Sequence, residues 1–189
     1  MKRFFSGLRK KATTAVRDDD RFGTGLWRHN RDRFIRAVDR YYTTAVALHE
    51  ARDSGGSTTS SAASADTSDG EDITASAADP VDVIVDGTHR LNALVDVVDG
   101  LTASLHARCP VTGQVVPGPT RQVVGDVPEL LTKASSKVGE AVLAASMARS
   151  EGPTGRSIDS SAEATVRFIT DAEELLGRAR EILARVEAS

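Results

Sequence analysis

The segment from residue 80 to residue 108 carries an apolar repeat that strongly limits how the chain can fold. Its positions alternate spacings of three and four over three heptads: Ile84, Gly87, Leu91, Leu94, Val98, Leu101 and Leu105. That spacing places the side chains on one face of an α-helix, and such a face must be buried against other helices. Asp79 and Pro80 stand where an N-cap and a first helical residue belong. The repeat therefore predicts a long, packed helix.

Three other segments show a helical period. The first has Thr24 as a candidate N-cap and Trp27 at the start of its apolar face, which Arg31 interrupts and which continues through Phe34, Val38, Tyr41, Ala45 and Leu48. Another begins at Asp126, where Glu129 completes a capping-box pattern, and has the face Leu131, Ala134, Val138, Ala141, Ala145 and Ala148. The last begins near Ser160, with Glu163 as its capping-box partner, and has the predicted face Phe168, Ala172, Leu175, Ala179, Ile182 and Val186.

These segments together predict an all-α fold, an antiparallel helical bundle with coiled-coil-like heptads. Aromatic residues make up only 4% of the chain, so its core must be built from small aliphatic side chains, which suit closely spaced helices. We expect a basic amphipathic helix over 1–20, a long helix over 21–52, a disordered Ser/Thr/Ala/Gly linker over 53–78 and a helical bundle over 79–189. The heptads also predict self-association, including a dimer that completes the bundle between two chains.

Residues 109–125 connect two of the predicted helices. They read CPVTGQVVPGPTRQVVG, in which two QVV runs flank a Pro-Gly turn, and this pattern suggests a small β-hairpin at one end of the bundle. A connection of this length is uncommon in a compact helical domain. Two interpretations stay open: a loop that binds a partner, and a plain connection.

The first seventeen residues form a basic amphipathic pattern. At 100° per residue, Phe4, Phe5 and Leu8 fall on one apolar arc, and no acidic residue precedes Asp18. The basic residues here are Lys2, Arg3, Arg9, Lys10 and Lys11, followed by Arg17. Such a helix can lie on an anionic membrane surface, pack against this protein or a partner helix, or contact a nucleic acid. The three acidic residues at 18–20 predict that it ends there.

A second basic feature follows in the next helix. Arg33, Arg36 and Arg40 fall with His29 on its polar side, a stripe that can grip phosphates. The competing interpretation is a solvated face that Asp32 and Asp39 neutralise, or one that faces the acidic side of the helix over 80–108. Residues 1–50 hold 12 Lys or Arg against 6 Asp or Glu, whereas the remainder holds 12 against 21, so the basic half is the one expected to meet an anionic partner.

Metal, cofactor and catalytic patterns are weak. Asp82, Asp86 and His89 share a helical face, and His106 lies near Cys109, but acidic helix faces are usually solvated and we expect no metal site and no cofactor. The sequence has no Gly-rich phosphate loop and no nucleophile elbow, so an enzyme is the least expected class. The single cysteine and the absence of a signal-peptide pattern predict a cytoplasmic protein, peripheral at the inner face of the membrane.

The resulting hypothesis is a non-enzymatic helical scaffold or interaction protein that forms homo-oligomers. It would attach reversibly to an anionic membrane surface or a protein partner through Lys2, Arg3, Phe4, Phe5, Leu8, Arg9, Lys10 and Lys11. The alternative is a nucleic-acid-associated protein that contacts phosphates through its basic N-terminal helices, with Arg33, Arg36 and Arg40 in the phosphate-binding role.

Overall fold

The computed structural model describes residues 18–56, 79–154 and 156–188, and no strand occurs among them. The elements are α1 (Leu26–Gly56), α2 (Pro80–Arg108), α3 (Gly118–Val124), α4 (Val127–Glu151), a 3₁₀ helix (Gly152–Thr154) and α5 (Asp159–Glu187), and a helical stretch over 18–22 precedes them. The prediction of an all-α fold is confirmed. The eight predicted surface-binding residues between Lys2 and Lys11 lie outside the described residues.

The four long helices pack pairwise. α1 packs against α2 and α4, and α5 packs against the same two helices. Trp27 Nε1 donates to the Cys109 carbonyl (2.9 Å), while Arg52 meets Asp82 (2.6 Å), so α1 and α2 are antiparallel. Leu26 and Pro128 line one cavity, and Ala51 and Arg149 line another at the opposite end, so α1 and α4 run parallel. Helices α2 and α4 therefore lie diagonally opposite each other.

The connection from α2 to α4 is where the sequence prediction was wrong. Residues 118–124 form the helix α3 instead of the second strand of a hairpin. Val111, Val124 and Val127 are buried, so the connection covers one end of the core. Its length has a simple cause, because it must cross from α2 to the diagonally opposite helix.

The apolar faces predicted for α1, α2 and α4 are buried in the core. The face predicted for α5 is only partly confirmed: Ala172 and Ala179 are buried, whereas Phe168, Leu175, Ile182 and Val186 are only partly buried. The other buried positions of α5 are Ser161, Ala162, Thr165, Ile169, Leu176 and Leu183.

Several helix ends differ from the predicted ones. Asp79 caps α2 as expected, because its carboxylate accepts a hydrogen bond from the Val81 amide (2.8 Å). α1 begins at Leu26, after Gly25, so Thr24 is not its cap. Neither capping box forms: Asp126 makes no side-chain cap bond, and α5 begins at Asp159 with Ile158 at the cap position.

The boundaries on either side of α1 differ from the sequence prediction as well. The helical stretch over 18–22 extends beyond the three acidic residues to Phe22, which is buried. At its other end α1 runs to Gly56, four residues into the segment predicted as a linker.

Candidate functional site: the arginine face of α1

Several arginines of α1 are used to hold the fold together. Arg31 donates to both carboxylate oxygens of Asp99 on α2, at 2.6 and 3.2 Å, and its guanidinium also lies 4.1 Å from the centre of the Phe22 ring. Burial alone would lower the pKa of Arg31, but the hydrogen bond and charge of Asp99 outweigh it and raise that pKa. At the other end of α1, Arg52 pairs with Asp79 and Asp82. These two arginines are the ones that face the acidic helix α2.

Arg33, Arg36 and Arg40 are different, and we call them the arginine face. All three are exposed. Arg33 donates a hydrogen bond to Ser136 Oγ on α4 (3.3 Å), which shows that the arginine face lies on the α4 side of α1. The interpretation in which this stripe faces acidic α2 was therefore wrong.

The arginine face also keeps more of its charge than the sequence suggested. Asp32 is engaged by Arg28 (2.9 Å) and Arg31 (3.4 Å), so its charge is shared with a different pair of arginines. Asp39 is exposed and forms no ion pair with another described residue. Within the described part of the chain, Arg36 and Arg40 have no carboxylate partner either. Lys133 of α4 is also exposed, three residues before Ser136.

This geometry suits an extended anionic surface. Arg33 and Arg40 are seven residues apart, or about 10 Å along the helix axis at 1.5 Å per residue. A guanidinium can donate two parallel hydrogen bonds to a phosphate, and exposed groups of this kind each contribute little, so binding would depend on several contacts and on salt concentration. His29, which the sequence placed with the stripe, is exposed at its N-terminal end.

The weaker candidates do not assemble into sites. Asp82 is paired with Arg52, and no group of three or more His, Cys, Asp or Glu side chains that could hold a metal ion occurs among the described residues. Cys109 is half-buried, and its carbonyl accepts the bond from Trp27. His106 packs beside Gly23, and its Nδ1 is buried without a hydrogen-bond partner among the described residues.

One surface feature was missed by the sequence analysis. Leu143 is 66% exposed and Met147 is 57% exposed, on the outer side of α4. They line a groove of about 270 Å³ between α4 and α5, together with Ala144, Ala164 and Phe168. The available signal was the i, i+4 spacing of two large apolar residues outside the alanine-rich core face of α4.

Among the described residues, no helix combines the length and apolar character that crossing a membrane requires. Compared with protein-family models, curated proteins and solved structures, the chain shows no match to any of the three.

Proposed function

We propose that this protein is a non-enzymatic helical interaction protein that attaches reversibly to an anionic membrane surface through its basic N-terminal part. The observation that carries the proposal is the arginine face. Its guanidinium groups are exposed and have no carboxylate partner among the described residues, while Arg31 and Arg52 of the same helix are paired with α2.

In this mechanism the segment 2–17 supplies the membrane contact. Phe4, Phe5 and Leu8 enter the boundary between headgroups and acyl chains, and the basic side chains Lys2, Arg3, Arg9, Lys10 and Lys11 stay at the anionic headgroups. Each basic group near an anionic leaflet adds about 1 kcal/mol, and the apolar side chains add a few kcal/mol less the cost of ordering the segment. The arginine face, which begins two turns into α1, supplements this charge. The result is weak, salt-sensitive attachment.

The nucleic-acid alternative draws support from the same arginine face. Arg33, Arg36 and Arg40 repeat along the helix on one side, so they can contact successive phosphates of a duplex without reading bases. The two functions differ in their need for apolar side chains. Phosphate binding depends on charge, whereas membrane attachment also requires Phe4 and Phe5.

Self-association belongs to the proposal, but not through the heptad faces. Those faces are buried within the single chain, so they are not available to a second copy. The groove formed around Leu143, Met147 and Phe168 is the surface that we assign to a homo-oligomeric contact, because exposed apolar side chains of this size commonly mark protein contacts.

The test is co-sedimentation of the full chain with anionic and with neutral vesicles, and in parallel its binding to a DNA duplex. A Phe4→Ser/Phe5→Ser variant should lose vesicle binding and keep any duplex binding. An Arg36→Gln/Arg40→Gln variant should weaken both, and its matched control is Arg178→Gln/Arg180→Gln, which removes the same charge from exposed positions on α5. Equal binding to neutral and anionic vesicles, or none to either, would rule out the membrane function. Duplex binding by a chain that binds neither kind of vesicle would favour the alternative.

A further inference from the structure

The helical stretch over 18–22 lies back along α1. Its end at Gly23 has φ +72° and sits against His106 of α2, where an added Cβ would lie 2.6 Å from His106 Nδ1. At its other end, the Asp18 carboxylate lies 3.5 Å from Arg28 Nη2 and 3.9 Å from Arg31 Nη1. The stretch, about 7.5 Å long at 1.5 Å per residue, therefore points from His106 of α2 toward the Arg31–Asp99 pair.

The orientation of the stretch over 18–22 is fixed by its own contacts. The stretch is held in its orientation by Phe22, which is buried, and by Asp18 and Asp19, which both pair with Arg28. Followed back from Gly23 to Asp18, the chain runs away from His106 of α2 and toward Arg28 and Arg31 of α1. Segment 2–17 joins the chain at this end of the stretch.

We define the α1/α2 groove as the surface beyond the Arg31–Asp99 pair that is formed by Ile35, Asp39 and Tyr42 on α1 and by Asn92, Val95 and Asp96 on α2. At 100° per residue, Ile35 and Tyr42 lie within about 40° of Arg31, and Asn92 and Val95 lie within about 40° of Asp99. Ile35 and Val95 are half-buried, and Tyr42 is 57% exposed. Asp39 and Asp96 are exposed on opposite sides. The groove thus has an apolar floor and acidic edges.

The segment 2–17 has the complementary pattern. It contains six Lys or Arg and no acidic residue, and its apolar residues share one arc. As a helix it would span about 24 Å, enough to cover the distance of about 17 Å from Arg31 to Tyr42. We propose that, away from a membrane, residues 2–17 dock in the α1/α2 groove of their own chain, with Phe4, Phe5 and Leu8 on its apolar floor and basic side chains at Asp39 and Asp96.

Docking of this kind regulates attachment, and this regulatory step rests on the proposed function. The apolar residues that enter the membrane are covered while the segment is docked. An anionic surface offers many more charges than Asp39 and Asp96, so it draws the segment out of the groove. The apparent affinity for the membrane is therefore reduced, because it is proportional to the fraction of molecules whose segment is undocked and able to bind.

A spin label tests docking directly. It is placed at Asn92→Cys in a full chain that also carries Cys109→Ser, with Ala93→Cys as the matched control, because Ala93 is exposed on the outer side of α2. We expect the label at 92 to be immobilised and to become mobile when Phe4→Ser/Phe5→Ser is added, while the label at 93 is mobile in both proteins. A label at 92 that is equally mobile with and without Phe4→Ser/Phe5→Ser overturns docking.

The regulatory step is tested with vesicles rich in anionic lipid. Ile35→Ser/Tyr42→Ser should tighten attachment about threefold to tenfold, because it weakens the competing docked state. Unchanged or weaker attachment of this variant overturns the regulation. The two proposals can be contradicted independently. If Phe4→Ser/Phe5→Ser changes the mobility of the label at 92 but the chain does not bind vesicles, the membrane function is contradicted. If the chain binds vesicles but the mobility of that label does not change, docking is contradicted.

Discussion

The hydroxyl of Tyr41 donates a 2.7 Å hydrogen bond to the carbonyl oxygen of Ile84, joining α1 to α2 inside the core. The Ile84 carbonyl belongs to the helical backbone of α2, so this bond adds to the hydrogen bonding of the helix. The Tyr41 side chain has room for this contact because Gly87 lies one turn along α2. A tyrosine on one helix and a glycine on the next therefore set how closely the two helices approach.

Burial raises the pKa of the Tyr41 hydroxyl well above its ordinary value of about 10. The folded state therefore keeps this proton at a pH where the unfolded state loses it. Stability from this group is complete below about pH 10 and falls as pH rises above it, by up to about 1.4 kcal/mol per pH unit. Chemical denaturation between pH 8 and 11 should show a shallower decline for Tyr41→Phe than for the wild type.

The neighbouring Tyr42 supplies the matched control for this pH measurement. Its side chain is 57% exposed, so Tyr42→Phe should leave the decline unchanged. The assignment to Tyr41 would be wrong if both variants followed the wild-type pH dependence.

Gly87→Ala should destabilise the fold strongly. An added Cβ would overlap Tyr41 Oη and lie 2.8 Å from Ile169 Cδ1, so the helices would have to move apart. Overpacking of this kind costs about 1–3 kcal/mol. The control is Gly100→Ala on the same helix, where nothing lies within 4 Å of the added Cβ and where alanine should stabilise slightly. Thermal unfolding of the two variants measures this contrast, and equal melting temperatures would contradict it.

The positions of these two residues were recoverable from the sequence, since Tyr41 and Gly87 both fall on predicted apolar faces. The buried face of α5 could not be predicted in the same way, because three apolar pairs repeat every seven residues: Phe168–Ile169, Leu175–Leu176 and Ile182–Leu183. Periodicity cannot choose between the two members of each pair. In the structure the second member of each pair is buried, and Thr165 is buried with them, its hydroxyl bonded to the Ser161 carbonyl (2.8 Å).

The arginine face shows a similar limit. The sequence placed Arg33, Arg36 and Arg40 on one side of α1, and they do lie there. It could not show which neighbour that side meets, because helix order around the core depends on the diagonal crossing of residues 109–126. The same crossing explains the long connection. Its two QVV runs favour strands by sequence pattern alone, but in the structure the second run belongs to α3 and its Val124 is buried.

The Arg31–Asp99 pair should contribute more to stability than other ion pairs on the surface. Its side chains are only 13% and 18% exposed, and Asp99→Asn leaves a largely buried guanidinium with weaker partners. We expect a loss of about 2 kcal/mol in the free energy of unfolding. Arg90–Glu173 also joins two helices at 2.6 Å but is more exposed, so Glu173→Gln should cost less than about 1 kcal/mol. Urea denaturation compares the two, and a larger loss for Glu173→Gln would contradict this ranking.

The last prediction concerns Leu143 and Met147. If their groove is the contact between copies, Leu143→Ser/Met147→Ser should weaken self-association by on the order of tenfold or more, because exposed apolar anchors dominate such contacts. Both side chains are mostly outside the core, so the melting temperature should hardly change. The matched control is Val115→Ser/Val123→Ser, which removes two other exposed apolar side chains near the opposite end of α4. Sedimentation equilibrium over a range of concentrations measures the dissociation constant. An equal effect of both double variants would place the contact elsewhere, and a wild type that stays monomeric at every concentration would contradict self-association.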